Sequence, residues 1–455
     1  MKNNGNYFTP VLLFFCLTGL FLPGQPVFSQ EKITVNGFLQ NYNGLQTSSG
    51  NELLAGRNRV RLELSRPVSV GNIFLETDLI HRYNDGDSDV EVRLRQAYLE
   101  WFFDKSDLKI GLQNIITGKS DGGFVTDIFS PVDLREFLAT DLNDIRLGVV
   151  SINYIRYFDE NFLQLIGAPV FQRDLIPEPD SRWFPVQPVP SPVPVNFITG
   201  TGRNTIEDVQ AAVRYGFRAN LNLDLDLFGY YWSHPTPAYG LTLNLTDFQN
   251  GPNITLRETY NPSPMAGYAF EWRTGKNLIV KSEALFVQQK LFNYLPVSDQ
   301  ALIDPLNNLP EIIQLLQASQ QEDDEFLVEK PWLQGMIGLQ SEVAGTTISV
   351  QGYLETIFNF DDNILQRKHF PYVTGLAQKS ILRDRLNLLS LGRFNTVAED
   401  FWVQFQGIYE AADGVELALG TNLFGGPDPP PVFGHFSFNL FRDQSFVFAR
   451  FTVFL

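Results

Sequence analysis

Arginines recur at every second position in two stretches of this 455-residue chain. Arg57, Arg59 and Arg61 share one face of the first stretch, and Arg93 and Arg95 share one face of the second. Acidic residues with matching alternation lie in the same region: Glu63, Glu76, Asp78 and Glu91. Opposed rows of fixed charge create a field that can select ions. The alternative is that these residues only neutralise one another as a structural network.

The stretch Gly118–Gly122 contains a formal match to G-x-S-x-G centred on Ser120. A nucleophile elbow requires a strand, a sharp turn and a helix, and no helical pattern follows Ser120. Gly111 and Gly118 also suggest a phosphate-binding loop, but six residues separate them where four are needed. We therefore predict neither a catalytic serine nor a bound phosphate here.

Metal-binding patterns are incomplete throughout the chain. Asp85, Asp87 and Asp89 mimic the start of a calcium loop, but the later Gly and the Glu at position 12 are missing, so a solvated hairpin turn is the better interpretation. The chain has four histidines: His81, His234, His369 and His435. Their spacing matches no metal site. We predict no metal and no cofactor.

Period-two alternation identifies the elements that position these residues. Leu223, Leu225 and Leu227 alternate with Asp224 and Asp226, so one face of this strand is apolar and the other charged. Eighteen such segments lie between residues 33 and 455. Most are near the ~9–11 residues that a tilted strand needs to cross a bilayer. We predict an all-β fold, a transmembrane antiparallel β-barrel of about 18 strands, with sixteen as the alternative.

The connections between these segments are strongly asymmetric. The long ones are 117–146, 170–206, 234–264, 291–329 and 425–443. With both termini in the periplasm, every long connection falls on the extracellular side, as in bacterial barrels. The connection 170–206 is Pro-rich, which predicts a stiff, extended outer loop.

Composition supports an exported membrane protein. The net charge of −17 argues against nucleic-acid binding, and the one Cys, Cys16, leaves the remainder without disulfides. Residues 1–29 combine Lys2, an apolar run and small residues before position 30, which is typical of a signal peptide. Residues 30–455 would then form the barrel, and the aromatic content of 13% suits its girdles.

The stretch from Gly111 to Glu136 resembles a segment of large Gram-negative outer-membrane barrels, porin-like or alginate-export-like. Thr117 stands where that group often has Trp. The last strand also resembles the C-terminal assembly signal of such barrels, although Phe454 is penultimate and Leu455 terminal. In porins the third outer loop folds inward and narrows the pore. The resemblance implies that acids and one arginine of loop 117–146 line a constriction: Asp121, Asp127, Asp133, Arg135 and Glu136. The alternative is that these residues cap the loop and pin it against the barrel wall.

We therefore expect a non-enzymatic porin-like channel in the outer membrane, for passive or facilitated passage of small solutes. The residues expected to line its pore are Arg57, Arg59, Arg61, Glu63, Glu76, Asp78, Glu91, Arg93, Arg95, Asp224 and Asp226. Expected partners are outer-membrane lipid, the barrel-assembly machinery, a small-molecule solute and, as an option, further copies of the chain. The alternatives are a plugged barrel serving adhesion or structure, and an outer-membrane lipase. A lipase would need a Ser near a rim histidine, and His81 and His234 both end strands near the outer rim.

Overall fold

A computed structural model provides the structure of the chain. It describes residues 32–48, 52–84, 87–136, 144–178, 181–184, 195–198, 209–220, 222–244, 253–275, 277–295, 308, 310–311, 326–427 and 437–455. The predicted signal peptide, residues 1–29, lies outside the described residues, as do parts of loops 117–146 and 170–206. Within this part of the chain no helix is long and apolar enough to cross a membrane.

In the described residues, twenty-one strands form two sheets. They are β1 (Thr34–Gln46), β2 (Leu53–Val68), β3 (Gly71–Asn84), β4 (Asp87–Phe103), β5 (Ser106–Gln113), β6 (Val149–Phe158), β7 (Asn161–Ala168), β8 (Val195–Ile198), β9 (Gln210–Asn220), β10 (Leu223–Ser233), β11 (Ala238–Asn244), β12 (Asn253–Thr259), β13 (Pro262–Arg273), β14 (Leu278–Asn293), β15 (Leu327–Val343), β16 (Thr346–Ile357), β17 (His369–Ile381), β18 (Leu386–Asn395), β19 (Asp400–Ala412), β20 (Val415–Gly425) and β21 (Phe446–Phe454).

Eighteen of these strands close into a single antiparallel barrel. Each pairs with its neighbours in chain order, and β1 pairs with both β2 and β21. In the closing register Asn41 lies opposite Phe451, and Tyr42 lies opposite Arg450. Closure leaves no barrel strand with an unpaired edge, which is what a bilayer requires of a sheet. The prediction of an 18-strand barrel is confirmed, and the sixteen-strand alternative is wrong.

The barrel has one short-loop end and one long-loop end. At the end that carries the termini, tight turns join the strands at residues 69–70, 104–105, 344–345 and 413–414. Several use left-handed backbone, as at Ala344, where φ is 51°. The predicted long connections all leave the opposite end. Part of that end carries a feature the sequence did not predict, a small sheet in which β8 pairs with β12 and β12 with β11.

Alternation along each strand separates an apolar outer face from a mixed inner face. On the outer face Val92 is 76% exposed and Leu419 is 69% exposed. On the inner face Asp78 and Asp226 are completely buried. Exposed apolar side chains are stable only against hydrocarbon or another apolar surface, so the sheet is built to face lipid outside and polar groups inside.

Two apolar clusters fill parts of the barrel interior. In the first, Ile128 and Phe129 of loop 117–146 pack among buried side chains such as Trp232, Met265 and Trp332. The second includes Trp183, which packs with rings of a 3-10 helix (Phe438–Gln444) and of β20 and β21. Both clusters bring outer-loop residues against the inner wall. The interior is therefore partly a packed core.

Candidate solute pathway

Loop 117–146 crosses the lumen from one wall to the opposite wall. It belongs to the connection between β5 and β6. One part contacts inner side chains of β2–β4, and another contacts those of β14–β17. These groups of strands lie on opposite sides of an 18-membered ring. The loop is thus a strap that divides the lumen into two compartments.

The tip of the loop is fastened by a wall carboxylate. Glu283 of β14 is 1% exposed and accepts hydrogen bonds from the backbone N of Ser120 at 2.6 Å and of Thr126 at 3.1 Å. It also accepts from Thr126 Oγ1 at 2.8 Å and from the backbone N of Lys119. The Gly118-Lys119-Ser120 turn therefore cradles an anion, but the anion is part of the protein.

The hydroxyl of Ser120 is engaged within its own turn. Its Oγ donates to the backbone carbonyl of Gly123, within the same turn.

Asp121 also holds the tip against the wall. Its carboxylate accepts from Lys281 Nζ at 2.7 Å, Ser349 Oγ at 2.7 Å and Gln351 Nε2 at 2.8 Å. All three donors come from the inner wall formed by β14 and β16. A carboxylate with three donors holds its position, so Asp121 ties the loop to the wall.

Asp127 holds the loop to itself. It accepts from Arg146 Nη2 at 2.6 Å and from the backbone N of Thr117 at 3.0 Å. Burial raises the pKa of the Asp127 carboxyl, while the Arg146 guanidinium opposes the rise. Arg146 and Thr117 lie near opposite ends of the loop. Asp127 therefore clamps the two limbs together.

The predicted arginine ladder faces the lumen and is paired with acids. Arg59 bonds Asp78 at 2.9 Å, and Arg61 bonds the same carboxylate at 2.8 Å. Arg95 bonds Glu76 at 2.9 Å. Asp144 of the loop connection reaches the same group, 2.6 Å from Arg59. We call this network the arginine wall. It comprises six arginines and the acids between them: Arg57, Arg59, Arg61, Arg82, Arg93, Arg95, Glu76, Asp78 and Asp144.

The outer part of the arginine wall receives the second limb of the loop. Arg57 bonds Glu136 at 2.8 Å. Arg93 bonds Asp133, and burial raises the pKa of that carboxyl against the guanidinium. Arg135 bridges Asp133 at 3.0 Å and Glu91 at 3.1 Å. Only a small cavity remains between wall and limb, lined by residues such as Arg57, Asp133 and Glu136.

Two members of this network were not predicted. Arg82 bonds Glu91 at 2.8 Å and also bonds Glu136. Asp144 bonds Arg61 at 2.9 Å and Arg95 at 3.1 Å. Arg82 could have been found by extending the inward face of β3 past Ile80. Asp144 stands in a loop without periodicity, which carries no directional signal.

The other predicted lumen acids lie away from the arginine wall. Asp226 is fully buried between Arg214 at 2.9 Å and Arg218 at 3.0 Å. Asp224 lies 3.2 Å from Arg218 and 3.8 Å from Lys119 Nζ. Glu63 faces inward and is half-buried, opposite Glu76 in the β2–β3 register. The structure thus divides the predicted pore residues between two separate clusters.

A half-buried polar strip lies on the far side of the strap, along β17–β21 and β1. It comprises Gln40, Arg393, Gln404, Gln406 and Arg450. Arg393 lies 3.7 Å from the centroid of the Tyr372 ring, which stacks on Tyr353 at 4.4 Å. We call this surface the polar strip. Sequence reasoning missed it because its residues are uncharged or isolated.

The outer loops meet the strap at a buried carboxyl. Asp174 accepts from the backbone N of Val132 at 2.8 Å, and Leu175 pairs with the adjoining backbone. Burial raises the pKa of Asp174 to about 7, because the charged form is poorly solvated there. This junction joins the loop 117–146 to the start of loop 170–206.

The histidines do not come together. His234 is packed on Trp332 with Nδ1 2.7 Å from Lys290 Nζ, and burial lowers its pKa. His81 lies on the outer face, with Nε2 3.0 Å from Ser88 Oγ. His435 lies outside the described residues. In the described part of the chain no three His, Cys, Asp or Glu residues are grouped to hold a metal.

Solved structures share this architecture. The chain resembles OccAB1 of Acinetobacter baumannii (9% identity, 93% of this chain and 96% of that chain, TM-score 0.51). It also resembles OccK5 (OpdH) of Pseudomonas aeruginosa (8%, 93% and 98%, 0.51) and OccD3 (OpdP) of the same organism (8%, 95% and 95%, 0.50). No family model and no curated protein matches. At these identities the likeness establishes the fold, and the alginate-export-like relation stays a prediction.

Proposed function

We propose that the protein is an outer-membrane channel for small polar solutes. The observation that carries the proposal is the strap, which crosses the lumen and leaves the polar strip along one wall. A packed structural barrel would fill both compartments with apolar contacts. Here the first apolar cluster spans β6–β17 and the second lies on β1, β2 and β18–β21, whereas Gln404, Gln406 and Arg450 on that second wall remain half-buried polar side chains.

The outer face supports placement in the outer membrane. Exposed apolar residues recur on the outer face of strands all around the ring, as with Val92, Ile337 and Leu419. Barrel strands are the form of β-structure that satisfies its backbone hydrogen bonds within a bilayer. Outer-membrane lipid and the barrel-assembly machinery are the partners that such a barrel requires.

The charged residues have different roles in this proposal. Asp121, Asp127, Asp133 and Glu136 shape the constriction by holding the strap, since each is already engaged by cations or amides. The arginine wall holds the second limb of the strap in place and so serves as its mooring. Solutes would then pass the polar strip, where Arg393 and Arg450 supply positive charge.

Planar-bilayer recording of single-cysteine variants tests the pathway. Gln404→Cys and Gln406→Cys place a thiol on the polar strip, in a chain whose one Cys lies in the predicted signal peptide. A charged methanethiosulfonate reagent should reduce their current. Thr421→Cys, on the outer face of β20, is the matched control and should not respond.

The outcomes separate the channel from its rivals. If the wild type conducts and the reagent reduces the current of the Thr421→Cys control but not that of Gln404→Cys or Gln406→Cys, the solute pathway does not follow the polar strip. If neither the wild type nor a variant lacking residues 120–134 conducts, the barrel is plugged and the channel proposal is wrong.

A further inference from the structure

A chain of polar side chains crosses the lipid-facing surface of β1–β4. Asn43, Asn41 and Asn58 are linked in sequence by amide hydrogen bonds of 2.7 and 2.8 Å. Asn58 Nδ2 lies 3.3 Å from His81 Nδ1, and His81 Nε2 lies 3.0 Å from Ser88 Oγ. All five residues point outward, because Tyr42, Arg57, Arg59 and Arg82 beside them point into the lumen.

This arrangement is placed where a bilayer exposes its ester bonds. Below it on the outer face lie Leu39 and Leu79, each 45% exposed, and next to it lies Val90, 63% exposed. Ser88 is at the start of β4, beside the β3–β4 connection at the long-loop end. The patch therefore lies at the boundary between the apolar belt and the extracellular side, the depth at which headgroups join acyl chains.

A serine, a histidine and an amide in hydrogen-bond contact are the parts of a nucleophilic hydrolase site. The base must lie about 2.6–3.2 Å from the hydroxyl and be oriented by a third group. Ser88 Oγ and His81 Nε2 meet that distance. Ser88 and Asn58 are exposed on the surface, and His81 is half-buried. This pair does not share the internal bonding that disables Ser120.

The amide chain controls which histidine nitrogen carries the proton. With Asn58 Nδ2 toward His81, Nδ1 accepts and the proton faces Ser88. A half-turn of the amides of Asn58, Asn41 and Asn43 exchanges their oxygens and nitrogens. Every hydrogen bond then reverses direction, and His81 Nδ1 donates to Asn58 Oδ1. The Tyr83 hydroxyl, which now accepts from Asn41 at 3.0 Å and donates to Asn43 at 2.8 Å, reverses with them. In that orientation Nε2 is free to accept the Ser88 proton.

From this geometry we infer that Ser88, His81 and Asn58 form a second, surface site that hydrolyses carboxylic esters of membrane lipids. Ser88 Oγ bonds to the ester carbonyl carbon as its proton passes to His81 Nε2. The carbon–oxygen bond to the alcohol breaks, and His81 returns the proton to the leaving oxygen. Water then attacks the acyl-serine by the same route, releasing the fatty acid and restoring Ser88. Asn58 acts as a positioning residue through His81.

Covalent labelling of the full chain in detergent tests the site. A fluorophosphonate probe should label the wild type, with loss of fluoride, and should label Ser88→Ala at background level. His81→Ala should label more slowly by roughly a hundredfold or more, as expected when a general base is lost. Ser282→Ala is the matched control, since Ser282 is also on the outer face but bonds Tyr268 at 3.1 Å. It should label like the wild type. Heat-modifiable mobility confirms that each variant is folded.

Two further measurements distinguish catalysis from a structural role. Vesicles of phosphatidylethanolamine should release fatty acid with the wild type and not with Ser88→Ala. Asn58→Leu should slow labelling, and Asn58→Asp, which can only accept from His81, should restore it. Absence of labelling in the folded wild type, or labelling that survives Ser88→Ala or His81→Ala, would overturn the inference. Equal rates for wild type and Asn58→Leu would remove Asn58 from the site.

Discussion

The strap is held by different interactions at the two barrel walls that it contacts. At β14–β16, the tip is held by a single buried carboxylate, Glu283, together with the carboxylate of Asp121. Phe129 packs on Tyr230 and Trp232 of β10. At the arginine wall the second limb is held by ion pairs, such as Arg57 with Glu136 and Arg93 with Asp133. The tip is held mainly by backbone amides on a buried carboxylate, with one ion pair between Asp121 and Lys281, and the second limb is held by a network of paired charges.

This difference predicts different responses to mutation. The amides around Glu283 lose their acceptor if it is removed, and buried unsatisfied donors cost about 1–3 kcal/mol each. In the arginine wall each charge has several partners, so the remaining ion pairs partly compensate for the loss of one charged side chain. The wall instead changes the electrostatic field, because an uncompensated charge remains beside the lumen. The tip mooring should control the strap's position, and the arginine wall should control ion selectivity.

Removing the strap should have the largest effect. Deletion of residues 120–134 takes away the tip and its apolar contacts while the strands remain. Single-channel conductance should rise several-fold, because the two compartments of the lumen join. Folding is verified by heat-modifiable mobility. An unchanged conductance in the folded deletion variant would show that the strap does not limit the current.

Glu283→Gln should release the tip without opening the barrel. The amide can accept fewer of the four donors and turns its own NH₂ toward them, which should cost on the order of 2–4 kcal/mol locally. Hydrogen exchange at Ser120 and Thr126 should accelerate, and current noise should increase. Glu271→Gln is the control on the same inner wall, where the Arg273 partner is largely exposed, and it should cost under about 1 kcal/mol. Equal protection of the Ser120 and Thr126 amides in both variants would mean that Glu283 does not hold the tip.

Charge changes in the arginine wall should shift selectivity with opposite signs. Replacing Arg57, Arg59 and Arg61 by Gln leaves Asp78, Asp144 and Glu136 undercompensated and should favour cations, by a factor of a few in permeability ratio. Asp78→Asn should favour anions, and less strongly, because it removes one charge. Reversal potentials in a salt gradient measure both. Shifts of the same sign would place the wall outside the field that ions sense.

The smallest expected effect concerns the Asp174 junction. Burial holds the pKa of Asp174 at about 7, above its unfolded value, so its protonated form stabilises the junction. That stability is complete in acid below the unfolded pKa and is lost as pH rises toward and through about 7. The protection factors of the Val132 and Leu175 amides, which correct for the intrinsic pH dependence of exchange, should fall over this range, and Asp174→Asn should abolish the fall. Protection factors that do not change with pH in the wild type would contradict the assignment.

The fold was predictable because barrel strands obey a simple rule. The side chains of each strand alternate between lipid and lumen. The sequence of a segment such as 223–233 therefore indicates both the length of the strand and which of its residues face inward. The small sheet formed by β8, β11 and β12 was missed because outer-loop strands lack a lipid face, and one of them is only four residues long.

The site was predictable only in part. Inward orientation of Arg57 and Asp224 follows from alternation, but alternation does not say which inward residues meet across the lumen. The pairing of Asp121 with Lys281 joins residues 160 apart in sequence, and no local pattern encodes it. The acids of loop 117–146 were expected either to line a constriction or to pin the loop against the barrel wall. The structure shows Asp121 and Asp127 occupied by protein donors, so their role as constriction-lining groups is a matter of loop position and stays a proposal.

The strap also imposes an order on assembly. The tip of the strap is synthesised long before the residues that bind it. Ser120 bonds Glu283, 163 residues later in the sequence, and Asp121 bonds Ser349, 228 residues later. Contacts between such distant residues form late in folding because their loop-closure entropy must first be overcome. A nascent chain therefore reaches the membrane with its strap unfastened. The last contacts of the strap are made with the C-terminal half, so the barrel with its strap in place is complete only when the whole chain has arrived.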